Sequence, residues 1–335
     1  MTRPKRVTVS SRLQGFSIRQ TVIEHPAFQE ALLRVERLHL KSKNSGQAGG
    51  LLITGLTGSG KTTVRKEYER RYPVQDNGEI LKIPVLNVDT PAPPTVKNLA
   101  EAILIAMGDP ISHKGTAAQK TERIYRLLRI CGVELLIIDE FQHFFDHGKR
   151  TEAARVTDWL KNLINNAGIP VVLMGMPDSA RVLRLNPQLA RRFSARFDLG
   201  PFRFTTVDEI LRFRGLLSAI ESALPLPSIP ISTPEMAQRF HCASFGLIDY
   251  VCKITDGAVD AARYHGCAHI DQHHLAEAFE EEVWRDASPG LNPFSASSDL
   301  RPLTRPGEPF ADLLASLGRD PEGRSNRQSD DGGIR

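Results

Sequence analysis

The sequence predicts an α/β protein, with a parallel sheet flanked by helices and a small helical unit after it. Three observations carry this expectation. Short apolar runs alternate with helical patterns from Leu51 to Phe204, a glycine-rich turn follows the first run, and only helical patterns continue to Asp286. Apolar runs without polar alternation belong to strands buried on both faces, as in a parallel sheet covered by crossover helices.

The chain has 335 residues, enough for one large domain and a smaller one. Residues 1–50 hold a basic start and the pattern "HPAFQEALLRVERLHL", with Phe28, Leu32, Val35 and Leu38 on one helical stripe. Residues 51–204 form the expected nucleotide-binding core. Its runs "LLITG", "KIPVLNV", "ELLIID" and "IPVVLMG" are separated by helical patterns such as "TERIYRLLRI". Residues 205–286 are expected to form a helical lid. From Ala287 to Arg335 the chain turns polar and carries six prolines, which predicts a flexible tail. Within it, "FADLLASL" (Phe310 to Leu317) is either a docking peptide or a segment that folds back on its own domain.

Composition narrows the class. Hydrophobic residues make up 41% of the chain, but no apolar run is long enough to span a bilayer and the N-terminus lacks a signal-peptide core. Cys131, Cys242, Cys252 and Cys267 show no CxxC spacing and read as reduced thiols of a cytoplasmic protein. The net charge of +4 is compatible with nucleic-acid binding without requiring it.

The chemistry concentrates in two motifs. "GLTGSGKTT" has the Gly-x4-Gly-Lys-Thr spacing of a phosphate-binding loop, with Gly55, Gly58, Ser59 and Gly60 shaping the turn. Glycines let backbone amides turn inward around phosphates, and the following helix aims its N-terminus at them. Lys61 faces the β- and γ-phosphates, Thr62 offers its hydroxyl to Mg²⁺, and Thr63 continues the helix start. The second motif, "LLIIDE", ends a buried strand in two acids. Asp139 is placed to organise Mg²⁺ and Glu140 to polarise an attacking water. A phosphotransferase needs no such glutamate, so the pair favours ATP hydrolysis. "DEFQH" also has the Asp-Glu-x-x-His form of helicases, but only helices follow Phe204, leaving no second strand–helix domain.

The order of these motifs, with "IPVVLMG" and then "NPQLARRF" before a helical lid, resembles AAA+ ATPases. In that class an arginine after the fourth core strand completes a neighbouring subunit's site. The resemblance therefore assigns this role to Arg192 first and Arg191 second. Together with "SIRQTVIEHPAF", "CGVELLIIDEFQHF" and "GIPVVLMGMPDSARVL", these motifs resemble the TniB/TnsC family of transposition regulators over residues 15 to 285. The resemblance implies an ATP- and Mg²⁺-dependent protein that self-associates as a ring or filament on double-stranded DNA. It further implies target marking, recruitment of a DDE transposase, and a TniQ-type target selector as partner.

Two positions depart from the AAA+ pattern. Met176 and Pro177 stand where a polar first-sensor residue is usual, with Asp178 and Ser179 nearest in sequence. In the lid, "FGLIDYV" replaces the second-sensor motif and puts Tyr250 at the expected arginine. Both departures suit a slow switch better than a motor. For DNA, the resemblance turns the segment bearing Lys114, Lys120 and Arg123 toward the pore, and Lys149 and Arg150 form a second candidate group. No base-reading motif accompanies them, so contact is expected to be through phosphates. "HGCAHIDQHH" offers His265, Cys267, His269 and His273 as metal ligands, but Gly266 and Asp271 read as helix-end signals that would splay them. The alternative function is a P-loop NTPase acting on a small molecule or in signalling, without DNA. A scaffold for which hydrolysis is incidental is a further reading.

Overall fold

The computed structural model describes residues 16–78, 80–146 and 150–313, without the side chains of residues 145 and 146. Helix α1 (Pro26–Ser45) leads into the sheet. His25 caps it, Nδ1 accepting from the Phe28 amide at 3.3 Å, while Pro26 occupies the first turn, where no amide hydrogen is needed.

In chain order the core strands and helices are β1 (Gly50–Thr54), α2 (Lys61–Arg70), a small antiparallel pair β2 (Gln75–Asp76) and β3 (Leu81–Lys82), then β4 (Val85–Asp89). Helices α3 (Val96–Ala106) and α4 (Ala117–Ile130) lead to β5 (Leu135–Asp139), followed by α5 (His143–Asp146) and α6 (Arg150–Ala167). Strand β6 (Val171–Gly175), helices α7 (Ser179–Arg184) and α8 (Pro187–Arg192), and β7 (Ala195–Asp198) complete the core. The sheet is parallel, in the order β4-β5-β6-β1-β7.

Strand alternation sorts the apolar runs onto two faces. Leu51, Ile53, Leu135, Ile137, Val172 and Met174 share one core with Phe28, Val35, Val64 and Tyr68 of α1 and α2. Leu52, Leu136, Ile138, Val171 and Leu173 share the other with residues of α3, α4 and α6. Burial on both faces explains why these strands read as continuous apolar runs. Strand β7 has no such run: Ala195, Arg196 and Asp198 are exposed on an edge, and the strand announces itself only by pairing with β1.

The lid comprises α9 (Val207–Ala223), α10 (Pro234–Ser244), α11 (Ile248–Tyr264) and α12 (Gln272–Glu282). A capping box of Thr206 and Glu209 starts α9. The lid core gathers Phe213, Phe240, Val251 and Phe279 with two outsiders, Ile18 and Ile23 from the segment before α1.

The expected flexible tail is not what residues 287–313 form. Phe294, Leu303 and Phe310 are buried in the lid core, and Arg239 donates to the carbonyls of Pro293 and Ser295 at 2.7 and 3.1 Å. Gln272 donates to the Phe294 carbonyl at 2.8 Å, and Arg301 pairs with Glu308. The prolines exclude a long helix before Ala311 but do not prevent an irregular strap held by spaced apolar anchors and side-chain bonds to its carbonyls. Phe310, the first residue of "FADLLASL", is thus committed to the lid; Leu314 to Leu317 lie outside the described residues.

Candidate nucleotide site and nucleic-acid face

Strands β1 and β5 both end at the edge where a ligand sits in open α/β sheets. The loop Gly55–Gly60 leaves β1 there and enters α2. A Cβ on Gly55 would lie 2.4 Å from the Leu199 carbonyl oxygen, and Gly60 adopts φ 97 at the helix N-cap, so both positions require glycine. Lys61 is buried and its Nζ donates to the carbonyls of Gly55 and Leu56 at 2.7 and 3.0 Å. Burial pulls its pKa below the ordinary lysine value, against the opposing charges of Glu140, Asp139 and Asp198. The buried Ser59 Oγ has no hydrogen-bond partner among the described residues. A buried lysine that donates only to backbone and an orphaned hydroxyl, at a helix N-terminus, fit a polyphosphate.

Asp139 is buried at the end of β5. Its Oδ1 accepts from the Glu140 amide at 2.9 Å, and its Oδ2 lies 3.6 Å from Arg65 Nε. Burial raises its pKa, partly offset by that hydrogen bond and by Arg65. Glu140 takes φ 56, a left-handed conformation uncommon outside glycine, asparagine and aspartate. Its carboxylate is gripped by Gln142, whose Nε2 donates to Oε2. The same buried amide accepts from the Met176 amide at 3.0 Å through Oε1. Gln142 therefore connects the two acidic-motif and first-sensor loops, a link that "DEFQH" contained but that its helicase-like spacing obscured.

The first-sensor expectation is refined accordingly. Ser179 is buried with its hydroxyl against Gly175, and Asp178 pairs with Arg181 at 3.1 Å; the hydrogen bond that reaches Glu140 comes from Gln142. The second-sensor expectation is corrected. Tyr250 packs on Phe310, ring centroids 5.2 Å apart, whereas Asp249 meets the phosphate loop, its amide donating to the Gly58 carbonyl at 3.1 Å. The Gly-x-x-Arg spacing puts the sensor three positions after Gly246, at Asp249, so the register was readable in the sequence.

A cavity of about 350 Å³ joins these parts. Thr57, Gly58, Gly60, Lys61, Thr62, Thr63 and Glu140 line one side; Ile23, His25, Phe28, Ile248 and Cys252 line another. Burial pushes the Cys252 thiol up to about 12 and draws His25 down to about 4, so this second wall is uncharged at neutral pH. An apolar wall beside a phosphate cradle suits a nucleotide base.

Arg192 lies at the other end of β1. Its guanidinium donates to the Ala48 carbonyl at 3.4 Å and to Asn165 Oδ1. A five-residue strand of about 16 Å separates that point from the phosphate loop, which keeps the arginine from its own site. Arg191 is exposed and has no charged or hydrogen-bond partner among the described residues.

The nucleic-acid candidates divide. Lys120 is fully buried, its ammonium 2.8 Å from Glu101 Oε2 and also bonded to the Ser112 carbonyl, so its assignment to DNA is corrected. Arg123 spends its guanidinium on Asp109 at 3.1 Å and on the carbonyls of Ile111 and Lys114 at 3.0 and 3.1 Å. Together they fold the loop that leaves Lys114 exposed. Arg150 is exposed at the start of α6, and Lys149 lies outside the described residues. Of the possible metal ligands, His265 and His273 converge with Glu277, their ligand atoms within 4.8 Å, while Cys267 and His269 stay outside that group. A 2.9 Å hydrogen bond from His265 to Glu277 accounts for the approach. No described helix is long and apolar enough to cross a membrane.

The five-stranded parallel sheet, the phosphate loop, the acidic strand end and the helical lid define an AAA+ P-loop NTPase fold. Within that class the chain belongs to the family described as Bacterial TniB protein, which matches residues 15–201. A curated relative, general secretion pathway protein A of Aeromonas hydrophila, is 27% identical over 239 residues, 68% of this chain and 40% of that protein. The chain thus spans well under half of that relative's length. Among solved structures, the Aeropyrum pernix ORC1 protein in complex with DNA superposes with a TM-score of 0.58 at 19% identity, covering 78% of this chain and 67% of that one. The A. pernix ORC2 protein in its ADPNP-ADP complexes gives a TM-score of 0.60 at 15% identity, covering 80% and 72%. At such identities the likeness concerns the fold alone.

Proposed function

We propose that this protein is an ATP-hydrolysing regulator of DNA transposition, which assembles with ATP on double-stranded DNA, marks a target and recruits a DDE transposase. The observation that carries the reading is the Lys61–Asp139–Glu140 constellation in a chain of the TniB family. That the ORC1 relative in fold was solved in complex with DNA, and the ORC2 relative in ADPNP-ADP complexes, supports nucleotide and DNA as ligands.

Lys61 and the loop amides would bind the β- and γ-phosphates. Thr62 and Asp139 would hold Mg²⁺, which offsets phosphate charge when bound. Glu140, aimed by Gln142, takes a proton from water as the water oxygen bonds to the γ-phosphorus. The bond from that phosphorus to the ADP oxygen breaks, giving ADP and phosphate. Arg192 or Arg191 would reach a neighbouring copy's nucleotide, so turnover depends on assembly. With the sensor positions altered, hydrolysis serves as a slow switch that dismantles the assembly, and a TniQ-type protein directs it to a site.

Fluorescence anisotropy of a labelled duplex tests this. Binding should need a slowly hydrolysed ATP analogue, fall steeply with salt, and be indifferent to sequence. Equal binding with ADP, or none, contradicts it. A second reading, an ATPase core serving protein secretion, draws on the name of the curated relative. Normal ATP binding with no duplex binding would favour that reading.

A further inference from the structure

The lid presents an acid, not a base, to the phosphate loop. Asp249 sits so close to Gly58 that a Cβ there would lie 2.9 Å from the aspartate's own Cβ. An unneutralised carboxylate at this place would repel a polyphosphate. Two cations flank it: Lys253 Nζ at 2.9 Å and Arg19 Nη2 at 3.7 Å.

The two are not equivalent. Lys253 is one turn along the same helix and also lies over the Tyr250 ring, 4.9 Å from its centroid. Arg19 lines the nucleotide cavity together with Lys61 and Glu140, and Lys253 does not. Arg19 holds Asp249 only loosely, with 44% of its side chain exposed, so its donors remain available. Its backbone is anchored from outside the ATPase core. Ser17 Oγ and the Ile18 amide donate to Asp256 of α11 at 2.6 and 2.7 Å, and Ile18 is fully buried in the lid core. The guanidinium therefore travels with the lid although it belongs to the segment before α1.

We propose that Arg19 is the lid's phosphate-reading cation, supplied from this N-terminal segment and parked on Asp249. The γ-phosphate of ATP draws the guanidinium from Asp249, whereas ADP leaves the pair in place. The segment thereby makes lid closure specific for the triphosphate. This rests on the reading of the cavity as an ATP site.

The test is displacement of a fluorescent nucleotide from the full chain by ATPγS and by ADP. Arg19→Gln, which keeps much of the stem, should weaken ATPγS about tenfold or more and leave ADP within about twofold. Arg19→Lys should fall between. Asp249→Ala should narrow the ATPγS:ADP ratio from the other side, by strengthening ADP, because the freed arginine then serves both. Lys61→Ala should weaken both nucleotides and fixes the baseline. Equal weakening of both nucleotides in Arg19→Gln would reduce Arg19 to a strap for the lid and overturn the proposal, as would no change. Wild-type protein that binds neither nucleotide would remove the ATP reading and this inference with it.

Discussion

Gln142 satisfies two demands with one buried amide: it holds the Glu140 carboxylate and accepts from the Met176 backbone. A carboxylate free to rotate would spend little time aimed at water, so losing this grip should cost turnover more than binding. Gln142→Ala is expected to lower kcat by about tenfold to a hundredfold with ATP-analogue affinity unchanged, measured by steady-state hydrolysis and nucleotide titration. A rise in KM without a change in kcat would place the residue in binding instead. Lys114 of the α3–α4 loop and Lys120 of α4 behave differently from one another. Lys114→Ala should weaken duplex binding and reduce the salt slope by about one. Lys120→Met should leave that slope alone and destabilise the fold by about 2 kcal/mol, because it strands Glu101 and the Ser112 carbonyl. Chemical denaturation beside salt-dependent anisotropy separates the two.

At the scale of elements, the strap of residues 287–313 and the turn before α1 both complete the lid core. Phe294 is 2% exposed and packs against Phe240, ring centroids 5.0 Å apart. Phe294→Ala should cost about 3–5 kcal/mol in thermal or chemical unfolding. Removing everything from Ala287 should likewise loosen the lid and so impair nucleotide binding; a stable lid with normal binding would contradict the packing. His25 gives the cap of α1 a pH dependence. Its Nδ1 accepts from the Phe28 amide, and its pKa falls from 6.5 to about 4 through burial. As pH drops below 6.5 the unfolded chain takes the proton first. Stability is therefore complete above that value and declines toward pH 4, by at most about 3 kcal/mol. His25→Asn keeps a capping oxygen and should flatten this part of the profile; an unchanged slope would show that other groups carry it.

The elements also show what a sequence displays and what it hides. Strands buried on both faces and the phosphate loop were legible because each has a local signature. Strand β7 was not, since an exposed edge strand of Ala, Arg, Phe and Asp carries no apolar run. Proline content misrepresented the strap, whose anchors Phe294, Leu303 and Phe310 are spaced too widely to form a period. Arg19, Arg65 and Gln142 acquire their meaning only from partners distant in sequence or from the strand ends they adjoin. Lys120 is hidden for the same reason: charge in a sequence says nothing of whether Glu101 will face it.

For the whole molecule, the position of Arg192 is decisive. It is held at Ala48 and Asn165, a strand's length from its own phosphate loop, and on the function proposed above it completes the site of a second copy. The proposed function then couples nucleotide to assembly, with DNA as the template on which copies align. The most direct test is negative-stain electron microscopy of the protein with double-stranded DNA and a slowly hydrolysed ATP analogue, beside ADP, Lys61→Ala and Arg192→Ala samples. Rings or filaments that need the analogue and Lys61, and that weaken without Arg192, are the predicted result. Single particles in every condition, with ATP bound normally, would contradict the account.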